Sequence, residues 1–129
     1  MDRQSVHVVT FLDALEREMA RLGSDVKRHY AYRRGGRIPG MPVLTLTGGG
    51  FALALPIKGA DGVHYELAVD VAWDAERWTI STGLYVDADR GGQRTVQQLP
   101  ERSASDLEGC LEHLHAAVGD LARVGELIP

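Results

Sequence analysis

A chain of 129 residues, with 44% hydrophobic and 25% charged side chains and a formal charge of −4, can bury about two-thirds of its unfolded surface in one core. It therefore needs neither metal nor disulfide to hold a fold, and the single cysteine, Cys110, excludes an intrachain disulfide and a multi-cysteine zinc site. No apolar run of about 18 residues occurs and no basic stretch followed by an apolar core opens the chain, so the expected compartment is the cytoplasm, with no membrane partner.

The first predicted element is a helix from Ser5 to Leu22. Val8, Leu12, Leu15, Met19 and Leu22 recur at spacings of four and three and form one stripe, while Asp13, Glu16, Arg17 and Arg21 lie away from it. Gly23 is the natural stop. Two and a half heptads are short for a coiled coil, so the stripe is expected to pack on a sheet.

From Val26 to Leu99 the period changes to two. Phe51, Leu53, Leu55 and Ile57 alternate with Ala52, Ala54, Pro56 and Lys58. Val63, Tyr65, Leu67, Val69, Val71 and Trp73 alternate with His64, Glu66, Ala68, Asp70 and Ala72, and Trp78, Ile80, Thr82, Leu84 and Val86 with Thr79, Ser81, Gly83, Tyr85 and Asp87. These are half-buried strands, and Pro56 predicts a bulge or an unpaired position. Weaker strands are expected at Val43 to Leu46, Arg94 to Leu99 and Val26 to Tyr32. The connections at residues 48–50, 59–62, 74–76 and 88–93 are short and turn-rich, which predicts an antiparallel meander.

A closing helix is expected to begin near Ser103 or Ser105, with Ser105 and Glu108 as a capping box. Leu107, Leu111, Leu114, Val118 and Leu121 form its stripe, and Gly125 ends it. The order predicts a single α+β domain over residues 1–129, in two layers, with five or six strands and both helices on one face.

If the helices cover the face carrying Trp73 and Trp78, the opposite face meets water or a partner. Closing the turn at residues 74–77 sets Asp70 opposite Ser81, Ala68 opposite Gly83, Glu66 opposite Tyr85 and His64 opposite Asp87. Closing the turn at 59–62 sets Ala54 beside Glu66 and Ala52 beside Ala68. The outcome is a furrow of small residues flanked by polar ones, and small residues let another backbone or a ligand approach. The predicted partner-binding set is Ala52, Glu66, Ala68, Asp70, Ser81, Gly83 and Tyr85. The competing account is a solvated face rich in alanine through genome composition. Twelve arginines against two lysines, with no asparagine, point to a GC-rich bacterial source.

Lys27, Arg28, His29, Arg33, Arg34 and Arg37 interleave with Tyr30 and Tyr32, which suits phosphate contacts with base stacking. Tyr30, Tyr32, Arg33, Arg34 and Arg37 are therefore the candidate anion or nucleic-acid contacts. Negative overall charge and the arginine-rich composition place a protein partner ahead of nucleic acid. Asp87, Asp89 and Gly92 imitate the start of a calcium loop, but Gln98 stands where a bidentate glutamate is needed. His113 and His115 diverge on a helix and cannot share a metal, and Cys110 reads as a buried thiol. No Gly-x-Ser-x-Gly or phosphate-loop pattern occurs. No cofactor, metal site or catalytic residue is assigned.

The helix, meander and helix layout resembles, in outline alone, small bacterial immunity proteins and secretion-chaperone-like adaptors. That resemblance implies protein binding. The leading expectation is thus a non-enzymatic protein-binding domain acting through its open sheet face, with a second copy of the chain among the candidate partners. A nucleic-acid-binding accessory protein comes second, and a small enzyme with Glu66 or Asp70 as base third.

Overall fold

The computed structural model describes residues 9–18, 20, 21, 24, 38–40, 43–47, 50–74, 77–87 and 92–129. The expected strand from Val26 to Tyr32 and the basic strip with Tyr30, Tyr32, Arg33, Arg34 and Arg37 lie outside them, as do Val8, Met19 and Leu22 of the first stripe.

An N-terminal helix, α1, is described at residues 9–18, 20, 21 and 24. Seven strand segments follow: β1 (Ile38–Pro39), β2 (Val43–Thr47), β3 (Gly50–Lys58), β4 (His64–Trp73), β5 (Trp78–Asp87), β6 (Gln93–Gln98) and β7 (Arg102–Ala104). Helix α2 (Leu107–Val124) closes the order and runs into a short 3₁₀ turn at Gly125–Leu127. All pairings are antiparallel.

The seven segments form five columns. Both β1 and β2 pair with β3, and both β6 and β7 pair with β5, so each outer column is one strand interrupted along its length. On one side Pro39 pairs with Ile57 and Val43 with Ala54, which sets three residues against two. Pro56 sits opposite that interruption. Its carbonyl accepts from the Gly40 N–H at 2.7 Å, so its hydrogen-less nitrogen faces the broken outer column and the ladder to β4 passes through Pro56↔Glu66 intact. On the other side the register slips between Leu84 and Tyr85, leaving Val96 as the extra residue.

One face of the sheet carries Phe51, Leu53, Leu55 and Ile57 of β3, Leu67, Val69 and Val71 of β4, and Ile80 and Leu84 of β5, all buried with both helices against them. From α2 the buried residues are Cys110, Leu114, Ala117, Val118, Leu121 and Val124. From α1, Phe11 and Leu15 are buried. Each fully buried Leu or Ile contributes about 2 kcal/mol by leaving water. Phe11 was not in the predicted stripe. It stacks on Phe51 with centroids 5.8 Å apart and lies 5.1 Å from Trp78, in a four-ring cluster completed by Trp73.

The start of α2 departs from expectation. Arg102–Ala104 is drawn into the sheet beside Ile80, Thr79 and Trp78, so Ser103 is a strand residue and Ser105 precedes the helix. Asp106 is the N-cap, its carboxylate accepting from the Gly109 N–H at 2.7 Å.

The helices are also tied by polar contacts. His115 Nδ1 lies 2.7 Å from Glu18 Oε1, Arg21 Nη1 lies 3.0 Å from His115 Nε2, and Arg21 Nη2 donates to the His115 carbonyl at 2.8 Å. A guanidinium only donates, so Nε2 accepts and the ring proton sits on Nδ1, facing Glu18.

Cys110 is fully buried, and desolvation pushes its thiol up to about 12. The thiolate is the reactive form. Native protein at pH 8 is therefore expected to resist a thiol-specific reagent and to react fully once unfolded in urea; a burst of labelling in native buffer would contradict this burial.

Candidate functional site

The helices leave the other sheet face uncovered, and strand register decides what it presents. The β4–β5 pairing matches expectation: Asp70↔Ser81, Ala68↔Gly83 and Glu66↔Tyr85 face one another, with Trp73↔Trp78 closing the turn. The β3–β4 register differs by two residues. Ala52 lies beside Asp70, Ala54 beside Ala68 and Pro56 beside Glu66. The loop between these strands spans residues 59–63. Gly59 N–H donates to Val63 O at 2.9 Å, while the Asp61 carboxylate takes the Val63 N–H at 3.1 Å and the Tyr65 hydroxyl at 2.8 Å.

Three transverse rows follow. The middle row is Val43, Ala54, Ala68, Gly83 and Gln98; one flanking row holds Thr45, Ala52, Asp70 and Ser81, and the other Pro56, Glu66 and Tyr85. Small side chains in the middle row and longer ones beside it hollow the face into a furrow of about 550 Å³. Val43 and Thr45 bound it on the edge strand, Ala52, Ala54 and Ala68 form its floor, and Glu66, Asp70, Tyr85 and Gln93 supply its polar atoms.

Five of the seven predicted contact residues, Ala52, Glu66, Ala68, Asp70 and Tyr85, line this furrow. Gly83 serves differently. A Cβ there would lie 2.9 Å from Tyr85 Oη and 3.0 Å from Tyr85 Cζ, so the phenol folds back over Gly83 and uses the room a side chain would fill. Ser81 turns away, its hydroxyl donating to Glu101 Oε2 at 3.3 Å. Val43, Thr45, Ala54, Pro56 and Gln93 were not predicted. Ala54 carried the right alternation but was set in the wrong row, and Gln93 comes in only because β6 lies beside β5.

The polar groups are held unequally. Tyr85 donates to Gln98 Oε1 at 3.1 Å, Gln98 Nε2 donates to the Thr82 carbonyl at 3.1 Å, and Gln93 Nε2 donates to Glu66 Oε2 at 3.0 Å. Burial, then the Asp70 charge, and to a lesser degree that of Glu66, push the Tyr85 hydroxyl above its usual range, against the lowering effect of its bond to Gln98. Asp70 stands exposed at the rim, yet the sheet around it removes enough water to raise its carboxyl above 3.8, with desolvation as the cause.

The hydroxyl across from Asp70 is engaged with Glu101, and Glu66 is engaged with Gln93. Among the described residues no group of three or more His, Cys, Asp or Glu side chains is placed to hold a metal ion. Gln98, at the twelfth position of the calcium-like segment, is bonded to Tyr85 and the Thr82 carbonyl. Among the same residues no helix is long and apolar enough to cross a membrane. No protein-family model, characterised protein or solved structure matches the chain.

Proposed function

We propose that this chain is a non-enzymatic protein-binding domain whose open sheet face receives a partner, acting in the bacterial cytoplasm as an immunity, chaperone-like or regulatory factor. The observation that supports this reading is the furrow of about 550 Å³ across the face the helices leave bare. Its floor is alanine, so a partner's side chains can approach the backbone closely, and its rim offers carboxylate, phenol and amide groups for orientation. Three of the four polar rim groups, Glu66, Tyr85 and Gln93, are held by hydrogen bonds, which lowers the ordering cost of binding.

The test is to recover the partner from a nuclease-treated lysate of the source organism, purify it, and titrate it calorimetrically against wild type and Ala68→Gln. A glutamine at Ala68 fills the middle of the furrow with a long neutral side chain while leaving the buried face untouched. At least tenfold weaker binding is expected, with unchanged circular dichroism. Equal affinity would sink the reading, as would nucleic acid being the only retained molecule.

A further inference from the structure

The charged side chains lining the furrow among the described residues are Glu66 and Asp70, and both are acidic. They differ in what satisfies them. Glu66 has one oxygen held by Gln93 and the other without a hydrogen bond from a described residue, whereas Asp70 takes no hydrogen bond or ion pair from any described residue. A partly desolvated carboxylate without a partner among the described residues carries a cost that a cation would offset. The Tyr85 phenol, paired across from Glu66, folds back over Gly83 into the middle row, within range of the Asp70 charge, and an aromatic face adds to cation binding. Ala54 and Ala68 leave room for the methylene stem of a long basic side chain.

Spacing adds a constraint. Glu66 and Asp70 are four residues apart on one strand, roughly 13 Å at the strand rise, with Ala68 midway. One cation cannot serve both. An extended segment laid along β4 presents every second side chain downward, so its residues i and i+4 match the two carboxylates and its residue i+2 meets the alanine floor. Resting on the reading of this face as a docking surface, we propose that the furrow recognises an extended segment of the partner protein that carries basic residues at positions i and i+4 around a small apolar residue at i+2. One cation sits between Asp70 and Tyr85, and the other meets the second oxygen of Glu66.

The probe is the peptide acetyl-Arg-Ser-Val-Ser-Arg-amide, titrated into isotope-labelled full-length protein and followed by NMR. A control peptide carries citrulline at both arginine positions, and a spacing control carries arginines at i and i+2. Shifts are expected at the amides of Ala52, Ala68, Asp70 and Tyr85, with binding at least fivefold tighter than for either control and weakening as salt rises. Glu66→Gln and Asp70→Asn should each weaken it severalfold, and bound peptide should pull the Asp70 carboxyl titration downward. Equal binding of the citrulline peptide, indifference to both substitutions, or no shift at these amides overturns the inference. If Ala68→Gln abolishes capture of the partner while Glu66→Gln and Asp70→Asn leave it intact, the docking face stands and the basic recognition element falls. If all three are silent, both fall.

Discussion

Replacing Gly50 with alanine is expected to cost about 3 kcal/mol or more, at the upper end of what overfilling a packed site does. The added methyl carbon would lie 1.8 Å from the Val71 carbonyl oxygen, 2.8 Å from its carbon and 2.9 Å from Ala72 Cα. All three are backbone atoms of β4, a central strand paired on both sides, so none can swing aside as a side-chain end could. Relief requires prying Gly50 from Ala72 next to Phe51, which sits in the ring cluster. A loss of that size is a large share of a typical domain's stability of about 5–15 kcal/mol. Urea unfolding reads it as a lower midpoint at similar slope. Gly119→Ala is the internal control. Nothing lies within 4 Å of a Cβ there, and within α2 the change should raise stability by up to about 1 kcal/mol. A Gly50→Ala protein as stable as wild type would show that the start of β3 is not held against β4 as described.

Truncating Phe11 to alanine is the second large effect, with an expected loss of about 3–5 kcal/mol. Phe11 is 0% exposed and bridges Phe51 and Trp78, so its removal opens a cavity between α1 and the aromatic end of the sheet. Trp73 and Trp78 are the only tryptophans, and their emission should shift to longer wavelength as water reaches the cluster. Val9→Ala, two residues away and 57% exposed, should change stability by no more than about 0.5 kcal/mol. The contrast tests which side of α1 faces the core. Equal effects of the two substitutions would contradict the packing of this helix.

Those two positions also show where reading from sequence succeeds and stops. Alternation along residues 51–57, 65–73 and 78–86 names the buried face because each strand has one wet side and one dry side. On α1 adjacent apolar pairs such as Phe11 and Leu12 fit two overlapping stripes, and periodicity alone does not choose between them. Gly50 reads as the third glycine of a turn; its burial against Val71 appears only once β4 is beside it. The β4–β5 register follows from a turn closed by Asp74 N–H to Arg77 O at 3.1 Å and Arg77 N–H to Asp74 Oδ1 at 3.0 Å. In the β3–β4 loop a single carboxylate, Asp61, engages Val63 and Tyr65 and lengthens the connection, and a side chain acting in place of backbone leaves no periodic trace. The cap of α2 shifted from Ser105 to Asp106 because β5 claims residues 102–104 first, a competition between distant segments. The furrow was legible as small residues on one face. Its shape was not, since that depends on the β3–β4 register and on Tyr85 lying over Gly83 rather than standing upright.

The tie between α1 and α2 bears on how the protein is made. Every sheet pairing joins segments that follow closely in the chain, so the meander can assemble hairpin by hairpin as it leaves the ribosome. By contrast, Glu18 and Arg21 contact His115, 97 and 94 residues downstream. Helix α1 must therefore wait for α2, and in the interval the apolar side of the sheet has not yet gained the cover that α2 supplies. A nascent chain stalled before α2 would expose Leu67, Val69, Ile80 and Leu84 to whatever holdase stands at the tunnel exit. Closure of that face is then a late step in the folding of this domain, and it waits for Leu107–Val124 to become available as α2.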